Sequence, residues 1–358
     1  MNKSSVINFN KFIICFLALL LLISISENTR AGDHLEDNFI EVYDTEGAFL
    51  FSTARNIVIG DEYISEDNYK YKIISVQEDK ATAEKIEKLN LKDKLSDTGT
   101  LSPLLAQENE EKTVGLYFTH NGESYQPPPI NVEGRGDVHR MGDELASILE
   151  DKGISVNRSD NLHLPHDGAS YTRSRSTALE LAQQGPDALF DIHRDAIPNP
   201  DEYLTTIDGE EAVQVRLVLG RQNPNREVNE QFAYHLKAVS DENQPGLIKD
   251  IFYGQGEYNQ SLHPRALLLE IGTHKNQKEQ ALKTAAHAGE IISLVLYGDA
   301  PVLEDSGRAG WITAFWIIIL LTAGVLGYLY MIERNWTAVK ERLKSFIREE
   351  ILDRGDRG

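Results

Sequence analysis

The feature that most constrains the fold is a regular alternation of apolar β-prone runs with amphipathic helical runs, from Thr113 to about residue 296. The first apolar run, at 114–119, precedes a helical pattern at 137–151 whose apolar residues recur at 3.6-residue spacing. The same order repeats along the rest of the segment. It predicts an α/β domain over 113–300, with a mostly parallel sheet covered by helices on both faces.

The residues before this domain carry a different pattern. Residues 38–86 contain β-prone runs broken by turn signals such as Gly60-Asp61, and they predict a small β-rich domain. Residues 87–112 mix charge, Gly and Pro without a sustained period, so we expect a linker there. Neither segment shows visible chemistry.

Two long uncharged runs flank these regions. The run at 12–26 follows Lys3 and Lys11, which is typical of a secretory signal peptide, predicted over 1–31. The second run, at 310–332, has 23 residues without a charge and predicts a transmembrane helix. The alternatives are an uncleaved anchor for the first run and a buried helix of a soluble domain for the second.

The charges around the second run predict an orientation. Basic residues are frequent in the tail 333–358, whereas the upstream flank holds Glu304, Asp305 and only Arg308. Because basic flanks face the cytoplasm, we expect a single-pass cell-membrane protein with a cytoplasmic tail and with the 113–300 domain outside the cytoplasm.

Charge and cysteine content exclude other classes. The chain has 36 Lys plus Arg against 56 Asp plus Glu, and its net charge of −20 argues against a nucleic-acid partner. The single cysteine, Cys15, cannot close an intramolecular disulfide and rules out Cys-based structural zinc. The chain is therefore expected to fold by burial of apolar surface.

Ionisable side chains stand at the ends of three predicted strands. His120 with Glu123, His193 and Glu270 each follow, or lie inside, an apolar run, where an unpaired charge is costly. Open α/β sheets bind ligands beyond the carboxyl ends of their strands. Two imidazoles and a carboxylate suit a catalytic zinc ion, and a further carboxylate suits the general base of amide hydrolysis.

Taken singly, each of these residues has a plain structural explanation. A histidine at a strand end is more often a structural residue, and a His-x-x-Glu pattern arises by chance in many proteins. Glu270 could cap a helix or pair with an arginine. The joint occurrence of three such strand ends in one α/β unit favours a metal site.

A series of motifs over residues 114–297 resembles the stage II sporulation protein P family. In order they are THNGESY, GDELASILEDKGI, SYTRSRSTALEL, DIHRDA, VLGRQNPN, YNQSLHPRALLLEIG and the final helix. The resemblance implies a zinc-dependent N-acetylmuramoyl-L-alanine amidase, which cuts the amide between the lactyl group of muramic acid and the stem peptide of peptidoglycan. It also implies a role in cell-wall remodelling linked to sporulation, and a lytic transglycosylase as a possible partner.

The resemblance also implies roles for single residues. His120, Glu123 and His193 fall on the family's zinc ligands, and Glu270 falls on its catalytic carboxylate. In the wider amidase group the middle ligand lies further along the chain, at the start of a helix. Three residues near that position are alternatives to Glu123: Glu133, Asp137 and His139.

Other polar groups are expected around this site. Arg194 could stabilise the developing oxyanion or bind a stem-peptide carboxylate, or it could form a buried pair with Asp191 or Asp195. Five residues are expected to contact the substrate: His166, Ser170, Arg173, Tyr258 and Asn259.

Two other functions stay open on the sequence. One is a peptidoglycan endopeptidase with the same metal chemistry, an activity that the resemblance also allows. The other is a non-catalytic wall-binding or regulatory protein, against which the presence of His120, His193 and Glu270 together argues.

Overall fold

The computed structural model describes these residues: 39–96, 112–298, 331, 334–338 and 340. The described residues up to 298 belong to one compact unit, and those from 331 onward belong to a second. The predicted signal peptide at 1–31 lies outside the described residues, as does most of the predicted tail at 333–358.

No helix within the described ranges is long and apolar enough to cross a membrane. A span needs about 20 mostly apolar residues, whereas the 20-residue helix Lys278–Tyr297 carries several charges. On this finding the predicted transmembrane helix, and the single-pass membrane localisation that rested on it, are corrected. The segment 310–332 itself lies outside the described residues, apart from Met331.

The elements of the first unit are as follows. The strands are β1 Ile40–Asp44, β2 Phe49–Thr53, β3 Glu62–Ile64, β4 Tyr69–Gln77, β5 Lys80–Lys88, β6 Thr113–Tyr117, β7 Ser155–Arg158, β8 Ala188–Asp195, β9 Leu204–Ile207, β10 Glu210–Val213, β11 Val215–Gly220, β12 Ile248–Gly254 and β13 Ala266–Thr273. The helices are α1 Leu91–Ser96, α2 Val138–Asp151, α3 Ser170–Gln183, α4 Arg226–Asn243 and α5 Lys278–Tyr297. Single 3₁₀ turns lie at Pro200–Glu202 and Gln260–Leu262.

Eleven of these strands form one sheet, in the order β2-β1-β5-β4-β3-β12-β11-β13-β8-β6-β7, and β9 with β10 forms a separate hairpin. Of the ten neighbouring strand pairs in this sheet, as far as the structure describes it, five are antiparallel and five are parallel. The prediction of a mostly parallel sheet is therefore wrong. Short turns between β3, β4 and β5 enforce antiparallel pairs, because a parallel pair needs a longer crossover connection.

The N-terminal β-region, residues 39–88, continues the same sheet. Strand β3 pairs with β12, and Ile64 lies opposite Ile251. The expected fold class, with a β-rich domain preceding a separate α/β sheet, is corrected to one mixed sheet. The reason is the exposed edge of β12, which β3 covers with main-chain hydrogen bonds. The domain boundaries at 87–112 and 300 stay predictions.

One face of the sheet packs against α2, α4 and α5. Leu145, Phe232 and Ile291 from these helices share one buried cluster with strand residues such as Leu217 and Leu269. Each fully buried side chain of this kind contributes about 1.5–3 kcal/mol through its removal from water. This cluster is the main core of the protein.

The opposite face is covered by α3 and by the N-terminal β-region. Leu181 of α3 packs on Leu189, and Phe51 of β2 packs with Val218 and Leu268. Because side chains alternate along a strand, residues spaced by two from Leu189 and Leu268 face this same side. His193 and Glu270 are among them.

Candidate metal centre

His120 and Glu123 are presented by the tight turn that follows β6. The Glu123 amide donates to the His120 carbonyl at 3.0 Å, and the Glu123 carbonyl accepts from the Val138 amide at the start of α2. A Cβ at Gly122 would overlap the Val132 carbonyl, and one at Gly136 would overlap the backbone of Gly122 and Glu123. The glycine in His-Asn-Gly-Glu therefore lets the 132–136 backbone approach the turn that carries both side chains closely.

His193 and Glu270 come from two neighbouring parallel strands. They lie opposite each other in the register of β8 and β13. Side chains at paired positions point to the same face of a sheet. The two strands therefore place His193 and Glu270 side by side, as their positions at strand ends predict, close to the turn that carries His120 and Glu123.

Three of these side chains form a compact group. Ligand atoms of His120, Glu123 and His193 all lie within 4.8 Å of one another. The Nδ1 atoms of His120 and His193 lie 3.4 Å and 3.5 Å from the two carboxylate oxygens of Glu123. All three residues are at most 1% exposed.

The charges of this group are set by its neighbours. Burial alone raises the pKa of Glu123, but Arg194 and the two histidines outweigh it and hold that pKa well below its ordinary value. Burial lowers the pKa of His193, but the carboxylates of Asp191 and Glu123 outweigh it and raise the pKa to about 10, so a metal ion that binds at Nδ1 would displace a proton from it. Glu123 is thus an ionised carboxylate at neutral pH.

Asp191 orients His193 from the side opposite Glu123. Its Oδ1 lies 3.0 Å from His193 Nε2. Asp191 also accepts hydrogen bonds from the Thr119 amide at 2.8 Å and from the Thr119 hydroxyl at 2.6 Å. A carboxylate on the far ring nitrogen fixes the tautomer of a ligating histidine, so Nδ1 is the atom directed at Glu123 and His120.

The donor set therefore fits a zinc ion. Two imidazoles and one ionised carboxylate leave a fourth position for a reacting group, which is typical of catalytic rather than structural zinc. Burial and fixed orientation favour such a site, because the ligands are already held in place. His120, Glu123 and His193 are the residues that would hold the ion.

The alternative middle ligands lie in other contacts. His139 stacks on Phe118 with ring centroids 4.1 Å apart, and its Nδ1 lies 3.3 Å from Asp160. Asp137 accepts from the Tyr125 amide and lies 3.6 Å from Lys278. Glu133 and these two residues are outside the group of ligand atoms formed by the described residues.

Arg194 faces the protein rather than a cleft. Its backbone amide donates to Glu123 at 3.1 Å, and its guanidinium donates to the carbonyls of Ser124 and Ile130 and to the side chain of Asn131. These contacts do not include an ion pair between Arg194 and Asp191 or Asp195, the alternative given for Arg194 on the sequence. Arg194 ties the 123–131 loop to β8, and its predicted role toward substrate stays a prediction.

Glu270 lies in a buried charged environment. It is 0% exposed, and its Oε1 accepts from Arg55 Nε at 2.8 Å. Burial raises the pKa of Glu270, while Arg55 and Arg216 counter part of that rise. A carboxylate with a raised pKa is better suited to take up a proton near neutral pH.

His166, Ser170 and Arg173 lie on one side of the centre. The His166 ring stacks on His120 at 4.0 Å. Arg173 donates to the His163 carbonyl at 2.8 Å and to Asp167 at 2.6 Å, and the Ser170 hydroxyl accepts from the Asp167 amide at 3.1 Å. Ser170 and Arg173 thus hold the loop that carries His166, and substrate contact stays a prediction for all three.

Tyr258 and Asn259 lie in a loop that contacts α3, in left-handed backbone with φ of 53° and 56°. For a bulky residue such as tyrosine this conformation is unusual and persists only when its surroundings enforce it. A Cβ at Gly254 or Gly256 would overlap the Tyr258 ring. Asn259 donates to the Tyr171 carbonyl at 3.1 Å, which fixes the loop against α3. Their substrate contact also stays a prediction.

Two residues of this centre escaped the sequence reasoning. Tyr171 packs on both ligating histidines, with ring centroids 5.4 Å from His120 and 6.2 Å from His193. Arg55 comes from the N-terminal β-region, where no chemistry was expected. No local pattern in the sequence marks Arg55, because its place depends on how the N-terminal strands pack on the rest of the sheet.

Comparisons with known proteins agree with the motifs. Residues 40–293 match the family model of Stage II sporulation protein P (SpoIIP). Stage II sporulation protein P of Bacillus subtilis (strain 168) is 31% identical over 234 residues, which are 60% of this chain and 58% of that protein. The chain thus spans less than two thirds of the length of this relative.

Two solved structures are similar at lower identity. The N-acetylmuramoyl-L-alanine amidase from Clostridium difficile 630 is 19% identical, with a TM-score of 0.36 over 56% of this chain and 100% of that chain. The CwlD amidase from Clostridioides difficile, solved in complex with the GerS lipoprotein, is 14% identical, with a TM-score of 0.35 over 54% and 98%. The match over residues 40–293, which is more than half of the sequence, shows that the chain belongs to the stage II sporulation protein P family.

Proposed function

We propose that this chain is a zinc-dependent peptidoglycan hydrolase that cleaves the amide between N-acetylmuramic acid and the L-alanine of the stem peptide. The observation that carries the proposal is the buried group of His120, Glu123 and His193, with Glu270 on the adjoining strand. Family membership supports a role in cell-wall remodelling during sporulation. The predicted lytic transglycosylase partner stays a prediction.

The proposed zinc ligands and the residues that hold them have separate roles. His120, Glu123 and His193 would hold the zinc ion. When bound, zinc polarises the amide carbonyl as a Lewis acid and lowers the pKa of water beside it. Asp191 keeps His193 in the required tautomer, and Arg194 holds the loop that presents Glu123.

Glu270 is the proposed general base. Its Oε1 is held by Arg55, while its Oε2 accepts no hydrogen bond from the residues that the structure describes. We assign Oε2 as the atom that would take the proton from the attacking water. The same proton then passes to the amine nitrogen of the L-alanine as the C–N bond breaks, which returns Glu270 to its ionised form.

The test combines metal content with product analysis. Purified full-length protein is incubated with peptidoglycan, and the soluble products are identified by mass spectrometry. We expect free stem peptides from the parent protein and none from Glu270→Gln, which still binds zinc. Glu290→Gln, an exposed carboxylate on α5, is the matched control and keeps parental activity.

Three results would contradict the proposal. Split cross-links without free stem peptides would identify an endopeptidase, and intact peptidoglycan would favour a non-catalytic wall-binding protein. Undiminished stoichiometric zinc in His193→Ala would refute the ligand assignment.

A further inference from the structure

The N-terminal β-region reaches the proposed active site through one side chain, Arg55. This residue lies two positions after the end of β2 and is 2% exposed. Its Nε donates to Oε1 of Glu270 at 2.8 Å, across 215 positions of sequence. The contact therefore joins the N-terminal strands to the residue that we propose as the general base.

Arg55 is the residue that fixes the Glu270 carboxylate. The other nearby cation, Arg216, lies 4.0 Å from Oε2 of Glu270. Its N–H groups are used elsewhere, at 2.8 Å and 3.0 Å on Asp250 and at 3.0 Å on Asp195. Arg216 thus contributes charge near Glu270, whereas Arg55 contributes the directional, charge-assisted hydrogen bond.

The Arg55 side chain is itself fixed by aromatic rings. Its guanidinium lies over the Tyr258 ring at 5.2 Å, and Tyr258 meets Tyr171 edge-on at 5.3 Å. Tyr171 in turn packs on His193 and His120. A continuous set of contacts therefore connects Arg55 to the proposed metal ligands.

The backbone around Arg55 is anchored to the rest of the sheet. The Ser52 amide donates to Glu202 at 2.8 Å, and the Ser52 carbonyl accepts from Arg216 at 3.3 Å. The Arg55 amide donates to the Thr53 hydroxyl at 3.1 Å. These bonds fix the direction from which Arg55 enters.

We propose that Arg55 is a positioning residue for the hydrolysis, and that the N-terminal β-region is thereby a working part of the active site. This inference rests on the proposed function. Arg55 holds one oxygen of Glu270 so that the other faces the reacting water and the amide. Without Arg55, the Glu270 carboxylate is free to rotate and spends less time in that orientation. Loss of Arg55 therefore lowers kcat rather than raising KM.

The test uses three variants of the full-length protein. Arg55→Met keeps the length of the side chain but removes its charge and its hydrogen bond. Arg55→Lys keeps the charge without the planar fork. The matched control is Arg221→Met, which breaks an ion pair with Asp61 that also joins the N-terminal β-region to the rest of the protein but does not touch Glu270.

Each variant is assayed for kcat, KM, bound zinc and thermal unfolding, with a soluble peptidoglycan fragment as substrate. We expect Arg55→Met to lower kcat by about 10- to 100-fold, as for other residues that orient catalytic groups, with bound zinc at the parental level and KM within about threefold. Arg55→Lys is expected to recover part of kcat, and Arg221→Met to stay within about threefold of the parent.

Several results would overturn the inference. They are parental kcat in folded Arg55→Met, or a loss no larger than that of Arg221→Met. If Arg55→Met does not fold, Arg55→Lys is the variant that tests the inference. Parental kcat in folded, zinc-loaded Arg55→Lys overturns the inference, and a lower kcat supports it. A parent protein that releases no peptidoglycan fragments refutes the proposed function itself, so the two failures are distinguishable.

Discussion

Replacing Arg216 by methionine should destabilise the protein more than any loss of an exposed ion pair. Arg216 is 0% exposed and belongs to a buried cluster with equal numbers of positive and negative side chains. The cluster contains Arg55, Arg216, Lys249, Asp195, Asp250 and Glu270. Arg216→Met would leave three buried carboxylates against two cations.

The magnitude follows from the desolvation of these carboxylates. Removing one partner of a buried ion pair costs about 3–5 kcal/mol, because the remaining charge stays buried without compensation. That is a large share of a typical folding stability of about 5–15 kcal/mol. With a urea m-value of about 3 kcal/mol per molar, the unfolding midpoint should fall by about 1–2 M.

The assay is urea unfolding at neutral pH, followed by circular dichroism. The control is Arg226→Met, which breaks a more exposed pair with Glu62 and should cost at most about 1 kcal/mol. Equal losses for the two variants, or a loss below about 1 kcal/mol for Arg216→Met, would refute the argument from burial.

Three further predictions concern the metal centre and the core. Glu123→Gln should lower bound zinc while Asp137→Asn leaves it unchanged, as measured by metal analysis; the reverse result would move the middle ligand to Asp137. Gly136→Ala should lower both the melting temperature and bound zinc, because a Cβ there overlaps the turn that presents Glu123; unchanged values would show that the turn relaxes freely. The free energy of unfolding should fall as the pH drops from about 6.5 to 4, because burial lowers the pKa of His139 and of His235 to about 4 and the unfolded chain then binds more protons than the folded one. The urea midpoint, measured against pH, should fall less in His139→Phe than in the parent, and an identical fall would contradict this.

Much of the helical structure could be predicted from periodicity alone. The patterns at 137–151 and 277–296 match α2 and α5 closely, because amphipathic spacing reports directly on a buried face. Strand direction is a different matter. Whether β13 runs parallel or antiparallel to a neighbour depends on how connections are routed in space, which strand–helix alternation does not encode.

Two elements are absent from the sequence-based prediction. One has no clear sequence pattern, and the other has a pattern that could have been used. Strand β12 contains Lys249 and Asp250, which interrupt its apolar run because they belong to the buried charged cluster. The hairpin of β9 and β10 turns at Asp208-Gly209, both with positive φ. That dipeptide is a strong hairpin signal, so this hairpin could have been predicted.

The site also contains residues that could be predicted from the sequence and residues that could not. His193 and Glu270 could be paired from the sequence, because both end apolar strands of one sheet. Arg55 could not, because its position depends on the pairing of β3 with β12 and on the packing of β2 across the sheet. Long-range contacts of this kind leave no local signal in the chain.

The most direct test of the central claim is an anomalous X-ray diffraction map, recorded at the zinc edge on crystals of the zinc-loaded protein. We expect one strong peak in contact with His120, Glu123 and His193. A fully loaded crystal with its peak elsewhere, or with no ordered peak beside these three residues, would contradict the account.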